Sequence, residues 1–116
     1  MTMRLLNVTQ NSLLATNVLY CNRFLSRLTG LLGKPPLTED EACWLIPCKQ
    51  IHTFGMKYPI DVYFLDKNNE VAAIIKNLEP NRFSPHHRNA HSVVEFRTAK
   101  ERNCNVGDKL AIKTVA

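Results

Sequence analysis

The sequence predicts an α+β domain, mostly antiparallel β in a compact barrel-like sheet, with one helix in the N-terminal half. Two observations lead there. Short apolar runs bounded by Asn, Asp, Pro and Gly recur along the chain, as strands joined by turns do. A single early stretch, residues 22–32, places its apolar side chains at helical spacing instead. No internal repeat, linker or low-complexity segment divides the 116 residues, a length that suits one domain with a real core.

Each element has its own justification. Residues 5–8 and 13–20 read as strands on either side of a Gln10-Asn11-Ser12 turn. Asn22 can cap the helix, Phe24, Leu25, Leu28, Leu31 and Leu32 form its stripe, and Gly33, Pro35 and Pro36 stop it. An acidic turn, Glu39-Asp40-Glu41, precedes the apolar run 42–46. Residues 60–65 form the clearest strand, with Ile60, Val62 and Phe64 on one face and Asp61, Tyr63 and Leu65 on the other. Asp66-Lys67-Asn68-Asn69-Glu70 carries turn chemistry and residues 71–75 follow, which predicts a hairpin. Residues 81–91 are polar, contain Pro85 and read as a long loop. Residues 92–96 and 110–115 complete the strands, with an irregular or short helical piece near 98–104 and a turn at Gly107-Asp108.

A hydrophobic content of 45% and a charged content of 22% are those of a soluble globular protein. The net charge of +5 points to acidic partners, but the Lys and Arg residues are scattered, which argues against nucleic-acid binding. Near the N-terminus, Asn7, Gln10, Asn11 and Ser12 break each apolar run before it reaches the roughly 7–15 residues of a signal-peptide core. No run approaches membrane-spanning length. The expectation is therefore a cytoplasmic protein whose four cysteines, Cys21, Cys43, Cys48 and Cys104, are thiols. They include no C-x-x-C pair, so a zinc ribbon or thioredoxin-like motif is not expected.

The densest chemistry is CKQIHTFGMKYPIDVYFLD, residues 48–66, where Cys48, His52 and Met56 stand four apart. Thiolate, imidazole and thioether are the ligand types of a blue-copper site, but such a site needs a second histidine and none precedes Cys48. Zinc could take Cys48, His52, His87 and His91, yet C-x-x-x-H is a short and common pattern. A catalytic Cys48–His52 dyad requires hydrogen-bond contact. Pro47, Gly55 and Pro59 oppose a helix there, and an extended strand would separate the two by roughly 13 Å. Only a tight turn would join them. The bland alternatives are a buried Cys48 acting as a small hydrophobe, a gap-filling Met56, and His52 and Thr53 satisfying loop backbone groups. Asp61 is an acid within an apolar strand. If its face is buried it needs a donor, from His52, Arg82 or a backbone amide.

Three segments carry a family resemblance. Arg27-Leu28-Thr29-Gly30-Leu31-Leu32-Gly33 resembles an R-x-x-G-L-M-G block. Residues 48–66 resemble C-x-x-I-H-T-x-x-M followed by an I-D-V-x-F-L-D strand. Leu78-x-Pro80 and Gly107-Asp108 resemble later markers. Together they resemble the uncharacterised bacterial and archaeal family catalogued as domain of unknown function 192, over nearly the whole chain. One stretch departs from it: family members commonly read L-E-x-P-A-G where this chain has Val94-Glu95-Phe96-Arg97-Thr98-Ala99-Lys100. The resemblance implies a compact β-rich fold and brings no established activity.

The residues then favour a non-enzymatic, small-ligand-binding module with a pocket walled by the signature segment. His52, Thr53 and Asp61 are its polar candidates, Cys48, Phe54 and Met56 its apolar ones, and Arg82 its contact for an anionic ligand. No metal and no cofactor are expected. The rival readings are a thiol-dependent, hydrolase-like enzyme using Cys48 and His52, and a structural or protein-interaction module.

Overall fold

The computed structural model describes residues 2–21 and 37–115. Eight strands carry the fold: β1 (Thr2–Asn7), β2 (Ser12–Ala15), β3 (Asn17–Tyr20), β4 (Glu41–Leu45), β5 (Ile60–Leu65), β6 (Val71–Leu78), β7 (Ser92–Arg97) and β8 (Leu110–Val115). They form a three-stranded sheet ordered β2-β1-β8 and a five-stranded sheet ordered β3-β4-β7-β5-β6. All pairings are antiparallel except β3 with β4.

Two features of the expected fold class need correction. Among the described residues the domain is all-β, not α+β, and neither sheet closes into a barrel. β3 and β6 stand at opposite edges of the larger sheet. The helix expected over 22–32 lies outside the described residues, and 98–104 is irregular. The physical reason for the layered arrangement is legible in β5, whose six residues are all buried. A strand apolar on both faces needs cover on both. Tyr63 and Leu65 enter a core between the two sheets, with Leu5, Leu14, Val18, Val94, Phe96 and Leu110. Ile60, Val62 and Phe64 enter a second core on the far face, with Cys43, Leu45, Cys48, Ile51 and Val93. The far face is covered by residues 47–59 and 80–91.

The single strand expected over 13–20 is divided. Thr16 separates β2 from β3, and the chain passes there from one sheet to the other. Elsewhere local chemistry acts as expected. Asn11 and Asn69 turn with positive φ, and the Asp66 carboxylate accepts from the amides of Asn68 and Glu70 to shape the β5–β6 hairpin. Gly107 turns at φ +94, a left-handed conformation that suits glycine.

The expectation of four thiols fails for one pair. Cys21, just beyond β3, is disulfide-bonded to Cys43 in β4, while Cys48 and Cys104 are buried and form no disulfide. Disulfides belong to oxidising surroundings, so this bond does not share the premise that placed the chain in the cytoplasm. Among the described residues no helix is long and apolar enough to cross a membrane.

Candidate functional site

From Cys48 to Thr53 the signature segment is extended before it turns at Phe54-Gly55, and residues 81–91 run beside it. Cys48 donates its amide to the His91 carbonyl, His87 its amide to Lys49, Ser84 to Ile51, and Thr53 to Arg82. Between the last two, His52 and Phe83 form an isolated antiparallel bridge. Thr53 is the main fastener. Its hydroxyl donates to the Glu79 carbonyl at 2.6 Å and accepts from the Arg82 amide at 2.8 Å, while its carbonyl accepts from the amides of Met56 and Asn81. The side chain is fully buried, so these bonds are shielded from water.

Extended backbone sends alternate side chains to opposite sides. Ile51 and Thr53 point inward, at 0% exposure. His52 is half-buried, and Phe54 and Phe83 stand 42% and 65% exposed. The three rings pack on one another. Phe54 meets Phe83 edge-on with centroids 4.9 Å apart, and His52 lies 5.4 Å from Phe54 and 6.2 Å from Phe83. Fully burying a phenylalanine is worth about 1.5–3 kcal/mol, so two rings left outside on a rigid scaffold forgo stabilisation that an ordinary loop would collect. Arg82 precedes Phe83 in the chain. Its guanidinium lies 3.6 Å from the Glu79 carboxylate, both side chains 63% exposed, a pair weak enough to exchange for an incoming anion.

The other expected residues divide between the two faces of the sheet. Met56 is half-buried and packs on the far-face core. Cys48 is buried in that core, and its thiol donates to the Gln50 carbonyl at 3.2 Å, as a packed structural cysteine does. His87, one of the histidines a zinc site would recruit, lays its ring on the buried Phe64 at 4.1 Å. Among the described residues no three His, Cys, Asp or Glu side chains converge to hold a metal ion.

Asp61 leaves the group. It lies on the face of β5 shared with Tyr63 and Leu65, opposite the face that carries the signature segment. One carboxylate oxygen accepts from the Thr98 hydroxyl at 2.6 Å and the Asn77 amide at 2.9 Å. The other oxygen lies 3.3 Å from Nη1 of Arg102, and the two side chains are only 6% and 2% exposed. The guanidinium also stacks over Phe96 at 4.1 Å and donates to the carbonyls of Glu39, Arg97 and Lys100. This buried ion pair ties the end of β7 to the turn before β4. Thr98 belongs to the stretch that departs from L-E-x-P-A-G, and its hydroxyl takes up the Asp61 carboxylate. Nearby, burial pushes the Tyr63 phenol up to about 12, helped by Cys104 and Asp61, and burial followed by Asp108 pushes the Cys104 thiol up to about 12.

Sequence reasoning passed over Phe83 and Arg102. Phe83 did leave a signal, since it is the one aromatic residue in the polar stretch 79–91. Arg102 left none beyond the demand of Asp61 for a donor.

Fold and site together define a two-sheet β domain that displays a fixed ring cluster from two laced loops. The family profile DUF192, described as an uncharacterized ACR, matches residues 6–112, and the chain belongs to that family. No curated protein matches it. Two solved structures share the fold. One is a protein of unknown function from Novosphingobium aromaticivorans DSM 12444, with 15% identity, a TM-score of 0.67, and coverage of 96% of this chain and 84% of the other. The second, from Sinorhizobium meliloti 1021, is described as a candidate transcription regulator, with 18% identity, a TM-score of 0.71, and coverage of 95% and 91%. Identities this low speak for the fold alone.

Proposed function

We propose that this protein is a non-enzymatic binding module for a small ligand with a planar apolar part and an anionic group. The planar part rests on His52, Phe54 and Phe83, and Arg82 meets the anion. The observation that carries the reading is the exposure of Phe83 and Phe54 on backbone held rigid by Thr53. A preorganised ring pair loses little freedom when a flat ligand docks, which favours affinity. Cys48 and Met56 pack on the core behind the signature segment, and Asp61 holds the sheet to its flanking loops from the opposite face.

Titration of the protein with 2-naphthalenesulfonate, a flat aromatic anion, followed by amide NMR, tests this. Amides of residues 52–54 and 81–84 are expected to shift. Phe83→Ala should weaken binding at least several-fold while changing stability by no more than about 0.5 kcal/mol, as exposed substitutions do. Arg82→Gln should weaken the sulfonate and spare a neutral naphthalene of the same shape. Binding indifferent to Phe83→Ala would refute the assignment.

A further inference from the structure

The cations that look scattered along the sequence are gathered by the lacing of the two loops. Residues 42–60 and 80–94 contain Lys49, Lys57, Arg82, Arg88 and all 4 histidines of the chain, and no Asp or Glu. Among the described residues outside these segments, eight basic side chains stand against ten acids. Among the described residues, the surplus of positive charge therefore lies in the two segments that carry the rings. Lys49, Lys57, Arg82, His86, Arg88 and His91 are all exposed there. The Lys49 ammonium is anchored on the carbonyls of Arg88 and Ala90, at 2.8 and 2.7 Å. These are neutral acceptors, so its charge stays uncompensated and its position fixed.

Resting on the binding reading above, we infer that the ligand is an unpaired nucleobase carrying phosphate. A simple carboxylate or inorganic anion would use the cations and leave the rings idle. A neutral aromatic compound would do the reverse. A base with its phosphate uses both, because every base has a face to stack on Phe or His and an anion within reach of Arg82. Four exposed Lys and Arg side chains set against one exposed acid, Glu79 beside Arg82, favour polyphosphate or a run of phosphates over a single weak charge. This chemistry has two sources, a free nucleotide or a single-stranded nucleic acid, and experiment separates them.

The full chain is titrated with AMP, with an eight-nucleotide oligothymidylate and with 2-naphthalenesulfonate, read by amide NMR at several salt concentrations. AMP or the oligonucleotide is expected to shift the amides of residues 52–54 and 81–84. Phe83→Ala should cost roughly ten-fold in affinity, as loss of one base-stacking partner does. Comparable affinity for both identifies the free nucleotide. An oligonucleotide bound at least about ten-fold tighter than AMP, with steep salt dependence and weakening by Lys57→Gln and Arg88→Gln, identifies the single strand. If neither nucleotide ligand moves these amides but naphthalenesulfonate does, the nucleobase inference is overturned and the binding reading stands. If no ligand moves them, both fall. Nucleotide binding untouched by Phe83→Ala also overturns the inference.

Discussion

Removing the Asp61 carboxylate should expose how much of this fold hangs on one buried ion pair. Asp61→Ala takes away the counter-charge of a guanidinium whose side chain is 2% exposed and has no route to water. It also strands the Thr98 hydroxyl and the Asn77 amide, which both donate to the same oxygen. Truncating one partner of a buried pair costs about 3–5 kcal/mol, because the remaining charge stays desolvated. Three carbonyls still face Arg102, which argues for the lower half of that range. Even so, the loss is a large part of the about 5–15 kcal/mol that holds a domain of this kind together. Urea melts of wild type, Asp61→Ala, Arg102→Met and the double variant measure it, with the fluorescence of Trp44 as the probe. The two single losses should be strongly sub-additive, by about 2 kcal/mol or more, since the double variant leaves no orphaned charge. The same cycle with His52→Ala should be additive within about 0.5 kcal/mol, because His52 and Asp61 serve opposite faces of the larger sheet. Asp61→Ala losing less than about 1 kcal/mol, or clear coupling between Asp61 and His52, would refute this account.

Three further outcomes are expected. Reducing the Cys21–Cys43 bond, whose partners are 22 residues apart, should lower stability by about 3 kcal/mol in denaturant melts with and without reductant. In the native protein Cys48 and Cys104 should react slowly with a thiol reagent at pH 8, since both are buried and the Cys104 thiol stands at about 12. Fast single labelling at Cys48, located by mass spectrometry, would contradict its packing. The Asp108 carboxyl is held below the usual carboxylate range by the Asn7 side-chain amide and then by the Asn105 backbone amide. Its stabilising contribution is full above the unfolded carboxylate value and is lost as pH falls through the lowered folded value. Asn7→Ala should therefore move the acid-unfolding midpoint to higher pH.

Local chemistry was readable from the chain alone. Apolar alternation and turn residues located β5, the β5–β6 hairpin, β7 and β8, because strand and turn preferences act over a few neighbouring residues. The signature segment drew notice for its residue types, and in the structure the His52 and Phe54 rings pack together while Thr53 accepts from the Arg82 backbone amide. What the chain could not reveal depends on contacts distant in sequence. The two-layer arrangement arises because β5 is apolar on both faces, and only packing shows that each face has its own core. Asp61 does take a backbone amide, that of Asn77, as one of its expected donors, but its cation is Arg102, 41 positions away, and not Arg82. Phe83 became a neighbour of His52 through a bridge between residues 31 positions apart, and the same lacing brought Lys49, Lys57, Arg82 and Arg88 into two adjoining segments. Strand pairing is written in short-range pattern. Burial, charge pairing and surface clustering are long-range properties, and they exist only once the sheets have closed on one another.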